Sequence, residues 1–500
     1  MEVLSGLMQG VAVALQPVNL LWCLAGVALG TVVGIMPGLG PPATVAMLLP
    51  LTMLMNPASA MIMLAGIYYG AKYGGSTTSI LLNVPGESAS VVTCLDGYQM
   101  ARKGRAGAAL GIAAIASFIA GTVGVLGLML VAPPLARMAL AFSSPEYFGL
   151  MALGLTMVVL LAGRSMVKAL LAMLVGLWLA GIGTDLFTQT SRFTFGQLEL
   201  LSGIDFVVVA IGVFAVGEVL ANMGRRDGTE SLPVPRGWRN LLPTGQDLKD
   251  SRFAFANGSI VGFLIGVLPG AGSTIASFIS YGLEKAVSRR PQEFGTGVVE
   301  GVAAPEGANN AETGGALIPM LTLGIPGSST TAILLAALVL WGFKPGPLFI
   351  PENPTLFWGL VASMYMGNLM LLVLNLPLVP LFAQALRAPV YVLFPVILGI
   401  SLVGVYSASG SLFDVWLLAA FGLGGYLMRK LDYPSAPLIL GFVLGAPLER
   451  ALRQSLMMSD GSLSILVSRP VPALMLSLAG LILLIPLIGK ANSWRLRALE

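Results

Sequence analysis

Long stretches of this chain carry no charge, and the polar residues gather in a few short segments. Apart from Glu2, nothing before Lys72 is Asp, Glu, Lys or Arg. Charge-free runs near the length of a membrane span recur at 106–136, 147–163, 169–184, 313–343, 353–386, 388–413, 433–448 and 470–489. A spanning helix needs about 20 apolar residues, and some of these runs hold room for two elements. The pattern predicts an all-α, polytopic integral membrane protein with roughly 11–13 transmembrane elements. The basic residues cluster at 102–105, 225–252, 285–290, 429–430 and 490–497, which the positive-inside rule places in the cytoplasm. The segment 224–252 reads as a cytoplasmic linker between a first half, 1–223, and a second half, 253–500. No basic leader or A-x-A cleavage pattern marks a removable signal.

Composition sharpens this picture. Of the 500 residues 56% are hydrophobic and only 10% charged, against about 25% charged in a soluble chain. Histidine is absent, which excludes a Ser–His or Cys–His nucleophile and a His-ligated metal. Two cysteines, Cys23 and Cys94, make neither a zinc cage nor an iron–sulfur cluster. The net charge of +4 is spread thinly and forms no nucleic-acid stripe. The 62 glycines and 32 prolines fit transporters whose helices are broken within the membrane.

An internal repeat locates the breaks. Residues 30–40, GTVVGIMPGLG, match residues 262–272, GFLIGVLPGAG. Residues 74–88, GGSTTSILLNVPGES, match residues 314–329, GGALIPMLTLGIPGSS. Aligning Gly74–Gly75 with Gly314–Gly315 and Pro85–Gly86 with Pro326–Gly327 implies one extra residue in the second copy. Lys and Arg flank the second copy, at Arg252 and Lys285, but not the first. One motif entering from each side of the membrane makes an inverted-topology repeat with re-entrant or broken helices at the Pro-Gly motifs.

Non-helical backbone at membrane depth survives only inside protein or against water. At such a break one half-helix ends in bare carbonyls and the next begins with free N–H groups. The N–H ends attract anions, and carbonyls with Ser, Thr or Asn oxygens suit Na⁺. The candidate substrate residues are therefore Pro37, Gly38, Gly40, Thr44, Pro269, Gly270, Gly272, Ser273 and Thr274. Asn309 and Asn310 join them from the polar segment Glu300–Glu312, for which an aqueous loop and a pore lining both fit. The candidate ion-binding residues are Ser76, Thr77, Thr78, Asn83, Pro85, Gly86, Glu87 and Ser88, with Gly324, Pro326, Gly327, Ser328, Ser329 and Thr330. Lys72 reads equally as an anion counter-charge or as a snorkelling residue. The pair Gly30/Gly34 alone reads as helix packing.

The segments GIMPGLGPPATVAMLLPLT (34–52), YYGAKYGGSTTSILLNVPGE (68–87), GVLPGAGSTIASFISYGLEK (266–285) and APEGANNAETGGALIPMLTLGIPGSSTTAILLAAL (304–338) resemble the large membrane subunit of the tripartite tricarboxylate transporters. The resemblance implies a secondary carrier of the bacterial inner membrane, taking up carboxylates such as citrate with Na⁺ or the proton-motive force. It implies two partners, a small membrane subunit of about four helices and a periplasmic solute-binding protein. It places the site at 37–44, 74–88, 269–274, 306–315 and 324–331. No cofactor is expected beyond Na⁺ as a coupling ion. No G-x4-G-K-[ST] motif for ATP occurs. The competing reading is a gated anion or cation channel without coupling.

Overall fold

The structure, a computed structural model, describes residues 2–36, 40–161, 165–185, 187–223, 238–376, 378 and 390–497. The first half begins with α1 (Glu2–Ala14), α2 (Pro17–Ile35), α3 (Pro41–Thr52), α4 (Pro57–Leu82), α5 (Val91–Met100) and α6 (Ala106–Ala139). It continues with α7 (Ser144–Leu161), α8 (Met166–Ala180) and α9 (Phe206–Asn222). After the linker come α10 (Gly245–Asp250), α11 (Arg252–Val267), α12 (Gly272–Val287), α13 (Glu300–Leu323) and α14 (Ser329–Leu340). The remainder is α15 (Phe349–Glu352), α16 (Pro354–Asn375), α17 (Val390–Ser409), α18 (Leu412–Lys430), α19 (Ser435–Met457), α20 (Ile465–Ser468) and α21 (Pro470–Arg497). Among the described residues, strand is confined to a two-residue bridge, Gly183–Thr184 against Ser191–Arg192.

The all-α membrane architecture stands, with a different inventory of helices. Among the described residues five helical runs are long and apolar enough to cross a bilayer: Pro17–Ile35, Val91–Ala139, Pro354–Asn375, Leu412–Lys430 and Ser435–Met457. Further apolar helices are shorter, among them α3, α11 and α14. At these three, proline and glycine explain the shortness. The chain breaks after Ile35, Leu82, Val267 and Leu323, each time at a Pro-Gly motif. The arms that follow, α3 and α14, have 12 residues each, or about 18 Å of helix, against the ~30 Å of a hydrocarbon core.

Two helices form the centre, and neither is among the apolar spans. Every residue of α4 from Ser59 to Leu81 and every residue of α13 from Glu300 to Thr322 is buried. Glu300–Glu312 is therefore neither loop nor open pore wall but the first half of a buried helix. Polar residues can occupy these helices because protein, not lipid, surrounds them.

Close backbone approach holds the hairpins together. A Cβ on Gly26, Gly30 or Gly34 of α2 would fall within 2.5 Å of the carbonyls of Met63, Ile67 and Ala71 on α4. The second copy repeats this with Gly258, Gly262 and Gly266 against Ala304, Ala308 and Glu312, within 2.7 Å. Gly30 and Gly34 thus pack helices.

These contacts also correct the repeat alignment. The carbonyl partners are offset by 241 throughout. So are the left-handed helix ends Asn83 (φ 56°) and Gly324 (φ 69°). Ser90 and Thr331 hydrogen-bond Glu87 and Ser328 with the same pattern. Gly74 corresponds to Gly315, not Gly314, and the second copy has no extra residue. Aligning the two Gly-Gly pairs is a coincidence of composition, one position out of register with the packing.

Of the linker, 224–237 lie outside the described residues. Residues 238–250 pack on the start of α6, where Gly107 and Gly111 press against the carbonyls of Asn240 and Leu241. Thr244 caps α10 in a capping box with Asp247, which also pairs with Arg105 at 2.5 Å. Burial pushes the Asp247 carboxyl up, but Arg105 and the hydroxyl and N–H of Thr244 outweigh it and hold the group below the usual carboxylate range.

The packing yields a paired test. Gly262→Ala places a methyl against the Ala308 carbonyl and should destabilise the purified protein by about 1–3 kcal/mol. Gly282→Ala meets open space on an exposed helix face and should keep or slightly raise its thermal stability. Equal effects at both sites would contradict the close-approach account.

Candidate functional site

The polar side chains of the two central helices meet in order along an antiparallel contact. The Tyr68 hydroxyl donates to Glu312 Oε2 at 3.1 Å. One turn on, Lys72 Nζ donates to Glu312 Oε2 and to the Asn309 carbonyl, the latter at 2.8 Å. A further turn on, Ser76 Oγ donates to Glu306 Oε2 at 2.6 Å. Thr93 of α5 donates to Glu306 Oε1. Numbers rise along α4 as they fall along α13. Lys72 is 1% exposed and is the buried Lys or Arg among the described residues, so it does not snorkel. Its ammonium sits 4.8 Å from the Tyr68 ring centroid.

The breaks close onto this core. Asn309 Nδ2 donates to Glu87 Oε1 at 2.6 Å, just after the first Pro-Gly break of the second motif. The Tyr68 hydroxyl lies 3.3 Å from Ser328 Oγ, just after the equivalent break. At the 241-residue offset Tyr68 corresponds to Asn309 and Glu87 to Ser328, so these are one contact made twice. The breaks also bind one another. Gly270 N–H donates to the Gly327 carbonyl at 2.9 Å, and Thr274 Oγ1 donates to Ser88 Oγ at 2.9 Å.

The predicted residues divide accordingly. Glu87, Ser88, Gly270, Thr274, Asn309, Gly327 and Ser328 come together, with Ser76 joined through Glu306. Gly86 presses on the Gly34 carbonyl and Gly327 on the Gly266 carbonyl, so these two close the breaks by packing. Gly324 ends α13 in the left-handed region, and Pro269 lies beside Gly154 of α7. Gly272 has a positive φ of 66°, and a Cβ there would meet open space. Ser273 and Ser329 are half-buried, and Pro85 likewise, while Pro326 and Thr330 are buried. Thr44 spends its hydroxyl on the Gly40 carbonyl at 3.2 Å. Thr78 spends its own on the Gly75 carbonyl at 3.1 Å, and Thr77 lines a water-sized cavity against α6. Asn83 is exposed and serves as a helix end rather than facing the core. Asn310 turns from the breaks toward Ser117 of α6. Pro37 and Gly38 lie outside the described residues.

Sequence reasoning missed Tyr68, Thr93, Glu306 and Glu312 as individual site residues. The available signal was that Glu306 and Glu312 sit in a polar run with no Lys or Arg between Arg290 and Lys344. A distant partner had to exist.

Against this geometry, the family model described as the tripartite tricarboxylate transporter TctA family matches residues 20–440. The chain belongs to that family. TctA is a transport family, so the polar core is part of a multi-pass membrane transporter subunit within a tripartite system. Among relatives, an uncharacterized 52.8 kDa protein in the TAR-I ttuC' 3' region of Agrobacterium vitis is 48% identical over 495 residues, covering 99% of this chain and 98% of that protein. An uncharacterized protein in the TAR-II ttuC' 3' region of the same organism is 44% identical over 234 residues, covering 47% of this chain and 97% of that protein. No solved structure matches.

The ion pair predicts a rescue. Lys72→Met leaves the Glu312 carboxylate buried and unpaired, which costs about 3–5 kcal/mol. The double variant Lys72→Met with Glu312→Leu should recover most of that stability in thermal unfolding of the purified protein. A double variant no more stable than Lys72→Met alone would contradict the pairing.

Proposed function

We propose that this chain is the carrier subunit of a secondary transporter that imports organic carboxylates, of the citrate or dicarboxylate class, across the bacterial inner membrane. A periplasmic solute-binding protein delivers the substrate, and a small four-helix membrane subunit completes the assembly. A Na⁺ or H⁺ gradient drives uptake. The observation that carries this reading is a buried polar core, with one ammonium, where the Pro-Gly breaks at 83–88, 269–274 and 324–330 meet.

The N-terminal ends at 38–44 and 270–275 hold the substrate carboxylates, with Lys72 as their counter-charge behind. Substrate and Glu312 then compete for Lys72. Carbonyls and hydroxyls at 83–88 and 324–330 take the coupling ion. With both bound, the charges nearly cancel and the loaded site crosses at lower electrostatic cost.

The two halves are inverted copies, and one rigid unit holding the hairpins of both moves against a scaffold in alternating access, as in an elevator. Two observations support the inversion. Central helices α4 and α13 run antiparallel, and the cross-contacts Tyr68–Ser328 and Asn309–Glu87 are exchanged copies of each other. An axis in the membrane plane relates the copies in this way.

Reporter fusions at 57 and 288 should report opposite sides of the membrane, and the same side for both would overturn the inversion. Tyr68→Phe and Ser328→Ala should each reduce carboxylate uptake by at least about tenfold, on the scale that small misplacements cost a bound substrate, with membrane levels unchanged. Normal uptake in both would overturn the site.

A further inference from the structure

The carrier reading leaves one cluster unused. A water-sized cavity of about 10 Å³ lies between the central helices and the flanking pair α6 and α16. Its polar wall is Tyr69 of α4, Asn310 and Thr313 of α13, and Asn368 of α16. Three oxygens there are open to a ligand: Tyr69 Oη, beside the Cys23 thiol, and Asn310 Oδ1 and Thr313 Oγ1, which have no hydrogen-bond partner. Their residues are 6%, 3% and 2% exposed. The Asn310 amide is fixed, because its Nδ2 donates to Ser117 Oγ at 2.7 Å and to the Glu306 carbonyl at 3.0 Å. Its Oδ1 is left as the unpaired end. Asn368 is already saturated, with its Nδ2 on Phe118 and Thr122 and its Oδ1 on Tyr73.

Charge points the same way. Three buried carboxylates, Glu87, Glu306 and Glu312, surround one buried ammonium, Lys72. An excess of buried negative charge must be protonated or balanced by a cation. Asn310 is bound to the Glu306 carbonyl, and Thr313 follows Glu312 in sequence.

We propose that Tyr69, Asn310 and Thr313 form a Na⁺ site in the core of this chain. The polar atoms left open there, beside the apolar Val125 and Met364, are neutral oxygens, which suit a hard cation. The absence of a carboxylate from the wall favours a monovalent ion, and the water-sized space favours Na⁺ over K⁺. The site joins α4 of the first half to α13 of the second, so a bound ion ties the two copies together. It is a second cation site, separate from the one at the breaks, and for a part in coupling it rests on the carrier reading.

The test is thermal unfolding of the purified full-length chain in NaCl, KCl and choline chloride at equal ionic strength. Na⁺ alone should raise the unfolding midpoint, saturably. Thr313→Val and Tyr69→Phe, which keep the side-chain shape, should each weaken the apparent Na⁺ affinity by about tenfold or more while the midpoint in choline chloride stays near that of the parent. No Na⁺-specific stabilisation of the parent would overturn the site. So would parental Na⁺ dependence in both variants, which assigns the cavity to a water. Neither result touches carboxylate uptake, so the carrier reading is judged separately.

Discussion

A bilayer offers no hydrogen bonds, and that constraint shapes the centre of this protein. Lys72, Glu306 and Glu312 can lie at membrane depth only if protein surrounds them on every side. The fold answers by burying α4 and α13 along nearly their whole lengths and pairing their polar groups across an antiparallel contact. The Lys72–Glu312 pair is the hub. It draws Tyr68 from one side and the Asn309 carbonyl from another, and through Tyr68 and Asn309 it reaches Ser328 and Glu87 beside the breaks. Removing either charge would leave the other stranded in a low-dielectric interior.

Glycine makes the enclosure possible. At Gly34 and Gly266 the arms α2 and α11 come close enough to the central helices that backbone touches backbone. The breaks then fall beside the polar core instead of in lipid. Backbone and hydroxyl bonds between them, Gly270 to Gly327 and Thr274 to Ser88, join segments far apart in sequence into one unit.

Much of this was legible in the sequence. Charge-free runs gave the membrane class, and the repeated P-G-x-G turns marked where helices stop. The Pro-Gly motifs identified Glu87, Ser88, Gly270, Thr274 and Ser328, which the structure does bring together. The pairing of Lys72 with Glu312 was hidden, because 240 residues separate them and no local pattern joins α4 to α13. Glu300–Glu312 read as polar, and polarity in a membrane chain suggests water. Only its burial shows that the partners are other side chains. Asn83 was misjudged because Asn serves two purposes, as an oxygen ligand and as a residue tolerated at positive φ, and here its backbone conformation is what matters. The Gly-Gly alignment failed because glycine is too common in this chain for two adjacent ones to fix a register.

The central claim is a carboxylate carrier. Its most direct test is uptake of labelled di- and tricarboxylates by cells that express this chain with its small subunit and binding protein, with and without external Na⁺ and with the proton gradient intact or collapsed. The account predicts saturable uptake of at least one carboxylate that depends on one of the two gradients. Flux that rises without saturation and persists after both gradients are removed would identify a channel and contradict the account.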